Sequence, residues 1–195
     1  MKNQAFLLKF SIFSFVIVAI LGVLMRYKIA FSLPFVEQKH LQEAHSHFAF
    51  YGFITSCIYI LVAQYLSKTV EEIQMKKYQI LIGINFFASY GMLLSFLYAG
   101  YYWLSIIFST IALLNSFVYY FFLIKDLKNL QETSKIWFLA AFFFAVLSSL
   151  GVFTLSYMMS TKNVVQELYL ASTYFYLHFQ YNGFFIFSCL GLLFY

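Results

Sequence analysis

Apolar residues fill this chain in six long runs, roughly 6–26, 45–66, 79–99, 101–124, 136–158 and 170–195, separated by short polar connections. A hydrocarbon core about 30 Å thick is crossed by about 20 helical residues, and each run reaches that length. The runs are continuously apolar and lack the alternation of a barrel strand, so helices are the only backbone that satisfies its own polar groups in lipid. The pattern predicts an all-α protein: one polytopic bundle of six transmembrane helices spanning residues 1–195. The first run follows Lys2 and Lys9 as a signal peptide would, but it is too long and no small-residue cleavage pattern closes it. It reads as a retained span. The only proline, Pro34, lies in the first connection, so no span is kinked by proline.

Composition moves the reading in the same direction. The chain is 63% hydrophobic with only 10% charged residues, too little charge to cover the surface of a soluble domain of 195 residues. Its main partner is therefore the lipid bilayer. The net charge of +5 does not point to nucleic acid, because the basic residues sit between apolar runs, where they set topology. Lys2, Lys9, Lys68, Lys76, Lys77, Lys125, Lys128 and Lys135 fall on one side, against Arg26, Lys28, Lys39 and Lys162 on the other. The positive-inside rule then puts the amino terminus in the cytoplasm, and spans two and six both enter from the outer face. Cys57 and Cys189 each lie within an apolar run and read as small buried residues. No internal repeat stands out. The sixth run is still apolar where the chain stops at Tyr195, an abrupt end that suits a fragment of a longer protein.

Candidate chemistry gathers at the histidines. His45 and His47 open span two in "LQEAHSHFAFYGF", and His178 lies about eight residues into span six, about 12 Å deep at about 1.5 Å per residue. The imidazoles within the runs thus fall in the outer half of the bundle. Polar groups at such depth normally face the bundle interior with a partner, which makes His47 and His178 candidates for a shared metal or cofactor. Residues two apart differ by about 200° around a helix, so His45 and His47 leave on nearly opposite faces and cannot easily hold one ion together. One can bind while the other supports, or both can be interfacial. Tyr174, Tyr181 and Asn182 are spaced to hydrogen-bond the His178 ring or a ligand on it. Gly183 and Gly191 read first as helix-packing positions.

At these segments the chain resembles a known group. "HSHFAFYGF" is similar to the His-x-His-four-residues-Gly-Phe segment of NnrS-type haem-copper membrane proteins. More loosely, it resembles the second helix of haem-copper oxidase catalytic subunits. "HFQYNGFFIFSCLGLLFY" is similar to the sixth helix of cbb-type cytochrome c oxidases and nitric oxide reductases. The resemblance implies that His45 or His47 binds haem and that His178 binds copper or non-haem iron. It implies electron transfer or O2/NO chemistry in the plasma (inner) membrane of a bacterium. Family members have about twelve spans and further histidine ligands, so the resemblance covers only their first half. Oxidoreductase chemistry then needs a second membrane chain or a further carboxy-terminal half.

Two other readings stay open. His40, Glu43 and His47 follow an i, i+3, i+7 spacing that shares a helix face, the pattern of a zinc-dependent membrane hydrolase with a metal-bound water as nucleophile. Alternatively, the chain is a non-enzymatic membrane subunit. Nothing in the sequence selects a substrate, a haem type or a redox partner.

Overall fold

The computed structural model describes residues 2–71 and 73–195, with side chains from Gln4 onward, so the Lys2 charge counted above lies outside the described side chains. Among the described residues the fold is all-helical, with no strand. Six helices follow one another: α1 Lys2–Ala30, α2 Gln38–Thr69, α3 Met75–Ala99, α4 Trp103–Leu127, α5 Thr133–Thr161 and α6 over residues 166–193. The first five are long and apolar enough to cross a membrane. Helix α6 is long enough too, but His178, Gln180 and Asn182 interrupt its apolar run and keep it out of that group.

Helix α2 starts at Gln38, ahead of the apolar run that predicts it. Its first turns, "QKHLQEAHSH", are amphipathic: Leu41 and Ala44 are buried while the polar residues between them stay nearer the surface. Such a stretch is helical by its 3.6-residue period even though its mean hydropathy is low. His40, Glu43, His45 and His47 all therefore stand on regular helix. The α1–α2 connection is gathered by Lys28, whose ammonium donates to the carbonyl of Leu33 at 2.8 Å and to that of Val36.

The chain divides into two compact units, Met1–Ser67 with Glu72–Asn115, and Lys68–Glu71 with Ser116–Tyr195. In the first unit, Val18 and Leu21 of α1, Leu41, Ala44 and Phe48 of α2, Ala88, Met92, Leu93 and Phe96 of α3, and Ala112 of α4 form one core. Phe6, Ile12, Phe13, Ile20 and Val23 of α1 remain exposed, as lipid-facing residues do. In the second unit, α5 and α6 are packed along their length at glycines. Gly151 meets the Ser172 carbonyl, Gly183 the Phe144 ring and Gly191 the Phe138 ring. The latter two confirm helix packing as the role of Gly183 and Gly191. Tyr119 of α4 stacks on Phe142 of α5 at 5.2 Å between ring centroids. In lipid, close packing of this kind, rather than water exclusion, holds helices together.

Both α2 and α6 contain a π-helical segment, Phe48–Thr55 and Phe179–Phe185. A π segment is rare, carries an extra residue in its turn and is frequently found at functional sites.

Candidate functional site

Each π segment begins at the residue after a histidine singled out above, His47 or His178. The two segments also read alike. His47-Phe48-Ala49-Phe50-Tyr51-Gly52-Phe53 and His178-Phe179-Gln180-Tyr181-Asn182-Gly183-Phe184 share His, Phe, an aromatic, Gly and Phe in the same register. A seven-residue signature recurs, too short to register against the apolar background but marked by a common backbone irregularity.

His45 and His47 leave α2 on different sides. His45 turns to α1, where its Nδ1 lies 3.1 Å from the Val18 carbonyl oxygen. A carbonyl has no proton to give, so Nδ1 carries the hydrogen and the neutral ring keeps its lone pair on Nε2. Gly22 of α1 stands beside the same ring, and a Cβ there would come within 3.3 Å of His45 Cε1. A backbone carbonyl on Nδ1 with Nε2 left for a metal is the usual support of a metal-bound histidine. In this arrangement His45 is the side chain that would ligate haem iron, were the group bound here.

His47 faces the end of α3. Its Nε2 is 2.8 Å from the Tyr101 hydroxyl, and its ring sits 4.4 Å from that of Phe96 and edge-on to Tyr101 at 5.7 Å. His47 is thereby engaged at the nitrogen that His45 leaves open. His40 and Glu43 stand on the same face, crowded against Gly100, which ends α3 at φ 62°. A Cβ on Gly100 would lie 2.7 Å from His40 Nε2 and 3.0 Å from Glu43 Oε2. His40 also pairs with Glu37 at 3.1 Å. The shared face that the i, i+3, i+7 spacing implies does form. Even so, among the described residues no group of three His, Cys, Asp or Glu side chains gathers closely enough to hold a metal ion. His40 is drawn back to Glu37 and His47 forward to Tyr101.

In the second unit His178, Tyr174, Tyr181 and Asn182 are all exposed on α6. Asn182 Nδ2 lies 3.2 Å from His178 Nδ1. In that pairing the amide donates to Nδ1 and the proton of a neutral ring sits on Nε2. A metal on Nε2 requires the Asn182 amide turned so that its oxygen accepts from Nδ1–H.

Gly22, the Val18 carbonyl and Tyr101 were not singled out from sequence. All three lie far from the histidines along the chain, so no spacing in the sequence could have tied them to this part of α2.

No protein-family model, curated protein or solved structure matches the chain. Fold and composition define an all-helical membrane protein, in which Lys39, His40, Glu43, His45 and His47 stand close together at the start of α2.

Proposed function

We propose that the chain is a haem-binding membrane protein of haem-copper-oxidase-like kind, serving electron transfer or O2/NO chemistry, with His45 as the axial ligand. One observation carries the reading: the Val18 carbonyl holds the His45 proton on Nδ1 and so leaves the lone pair on Nε2, while Gly22 packs against Cε1 of the same ring. Bound haem iron would supply one-electron and diatomic-gas chemistry that no side chain offers. The chain's part is to orient the ring through Val18, to seat it against Gly22 and to surround the site with apolar helices. His47, bonded to Tyr101, is a supporting residue in this reading. His178 remains the candidate ligand for copper or non-haem iron, completed by residues from a second membrane chain or a further segment. A bacterial inner membrane is the proposed location.

The visible spectrum of the purified protein tests this. A Soret band that shifts on reduction is expected, lost in His45→Ala and retained in His47→Ala. A colourless native protein, or a band that survives His45→Ala, refutes the reading.

A further inference from the structure

Carbonyls of the α2 π segment accept hydrogen bonds from side chains of α1, α3 and α2 itself. An extra residue in the turn breaks the i to i+4 ladder and frees carbonyls from their ordinary donors. The Tyr51 carbonyl takes two side-chain donors: the Ser56 hydroxyl at 2.9 Å and Asn85 Nδ2 of α3 at 2.8 Å. Asn85 Nδ2 also donates to Ser56 Oγ at 2.8 Å, which closes a three-membered network. Two residues on, the Phe53 carbonyl accepts from Ser11 of α1 at 3.1 Å. The direction of each bond is settled by the one group that can only accept. With the carbonyl fixed as acceptor, Ser56 donates to it and must accept from Asn85, so the amide nitrogen faces the turn.

Asn85 is fully buried, and its Oδ1 meets no donor. A residue kept there for packing alone would be leucine, which has similar volume and leaves no acceptor orphaned. The amide is explained by the carbonyl it captures. An extra residue in a helix offsets everything upstream by about 100°. In α2 the upstream part carries His45 and His47.

We propose that Asn85 is a positioning residue for the His45 site: by capping the Tyr51 carbonyl it maintains the widened turn that points His45 at Val18 and Gly22. Its consequence for cofactor binding rests on the haem reading above; the orientation of His45 does not. Asn85 touches neither histidine. It acts through the backbone of residues 48–55.

The test reads the ring directly, in cofactor-free protein labelled with 15N-histidine and held in lipid nanodiscs. The native chain is expected to show a slowly exchanging, hydrogen-bonded Nδ1–H resonance for His45. Asn85→Leu is expected to lose it, and Asn85→Gln, which keeps the amide donor, to retain it. Persistence of the resonance in a folded Asn85→Leu protein overturns the proposal, and so does its loss in both variants, which would mark a requirement for shape. Should Asn85→Leu fail to fold, Ser56→Ala removes one of the two donors and is expected to speed Nδ1–H exchange about fivefold. A native exchange rate in Ser56→Ala then overturns the proposal. A native protein that takes up no haem yet gives the expected resonances overturns the haem reading and leaves this one standing.

Discussion

Gly100 shows how tightly the end of α2 is seated. Its φ of 62° is a conformation that residues with a side chain rarely adopt, and the space where a Cβ would go is taken by His40 and Glu43. Gly100→Ala is expected to cost about 1–3 kcal/mol, seen as a lower unfolding midpoint in detergent. An unchanged midpoint would mean that the α3–α4 turn is free to relax. Tyr101, the next residue, offers a sharper division between the two histidines. Tyr101→Phe removes the hydroxyl bonded to His47 and is expected to cost about 1 kcal/mol of stability. With His45 as ligand, the Soret band of Tyr101→Phe stays where it is in the native protein. Gly22→Val, by contrast, presses on the His45 ring and is expected to shift or abolish the band. A shift in Tyr101→Phe and none in Gly22→Val would transfer the ligand role to His47.

At the scale of elements, the hydropathy pattern was enough to find the helices but not their irregularities. Runs that are apolar all round announce a helix by length alone, which is why α1 to α5 are legible in the sequence. The same uniformity hides a one-residue offset, because no polar face exists whose rotation would reveal it. The π segments of α2 and α6 are therefore visible only in three dimensions or through the short signature they share. Packing glycines were half legible. Gly183 and Gly191 could be read as close-approach sites, whereas Gly151 could not be separated from Gly83, since both are single glycines in apolar runs. The structure separates them sharply. A Cβ on Gly151 would stand 2.5 Å from the backbone oxygen of Ser172, while one on Gly83 meets nothing within 4 Å. Gly151→Ala is expected to destabilise the α5–α6 pair by about 1–3 kcal/mol through overpacking. Gly83→Ala is expected to stabilise α3 by about 0.5–1 kcal/mol through the helix propensity gained. Unfolding midpoints of the two variants that move the same way would show that the α5–α6 contact is not close.

For the whole molecule, the direction of insertion decides which compartment reaches the His45 end of α2. Charge bias is the only sequence-level guide: eight basic residues flank the helices on one side and four on the other. Some of those charges also have a local duty. Lys135 donates to the carbonyls of Lys128 and Leu130 at 2.8 and 3.1 Å, closing the α4–α5 turn, as Lys28 does for the α1–α2 turn. A lysine held by carbonyls still carries its charge, so it counts toward topology while it shapes the loop. With the amino terminus in the cytoplasm and all six helices crossing, the α4–α5 turn is cytoplasmic and the α5–α6 turn external. Single cysteines placed at Asn129 and Asn163, in a background with Cys57 and Cys189 replaced by serine, report this through a membrane-impermeant thiol reagent. Asn163→Cys is expected to label in intact cells, and Asn129→Cys only after the membrane is opened. The opposite pattern would reverse the bundle and bring His45 to the cytoplasmic side. Labelling of both sites in intact cells would place an even number of crossings between them, or none, and α5 would then be the first helix to doubt as a span.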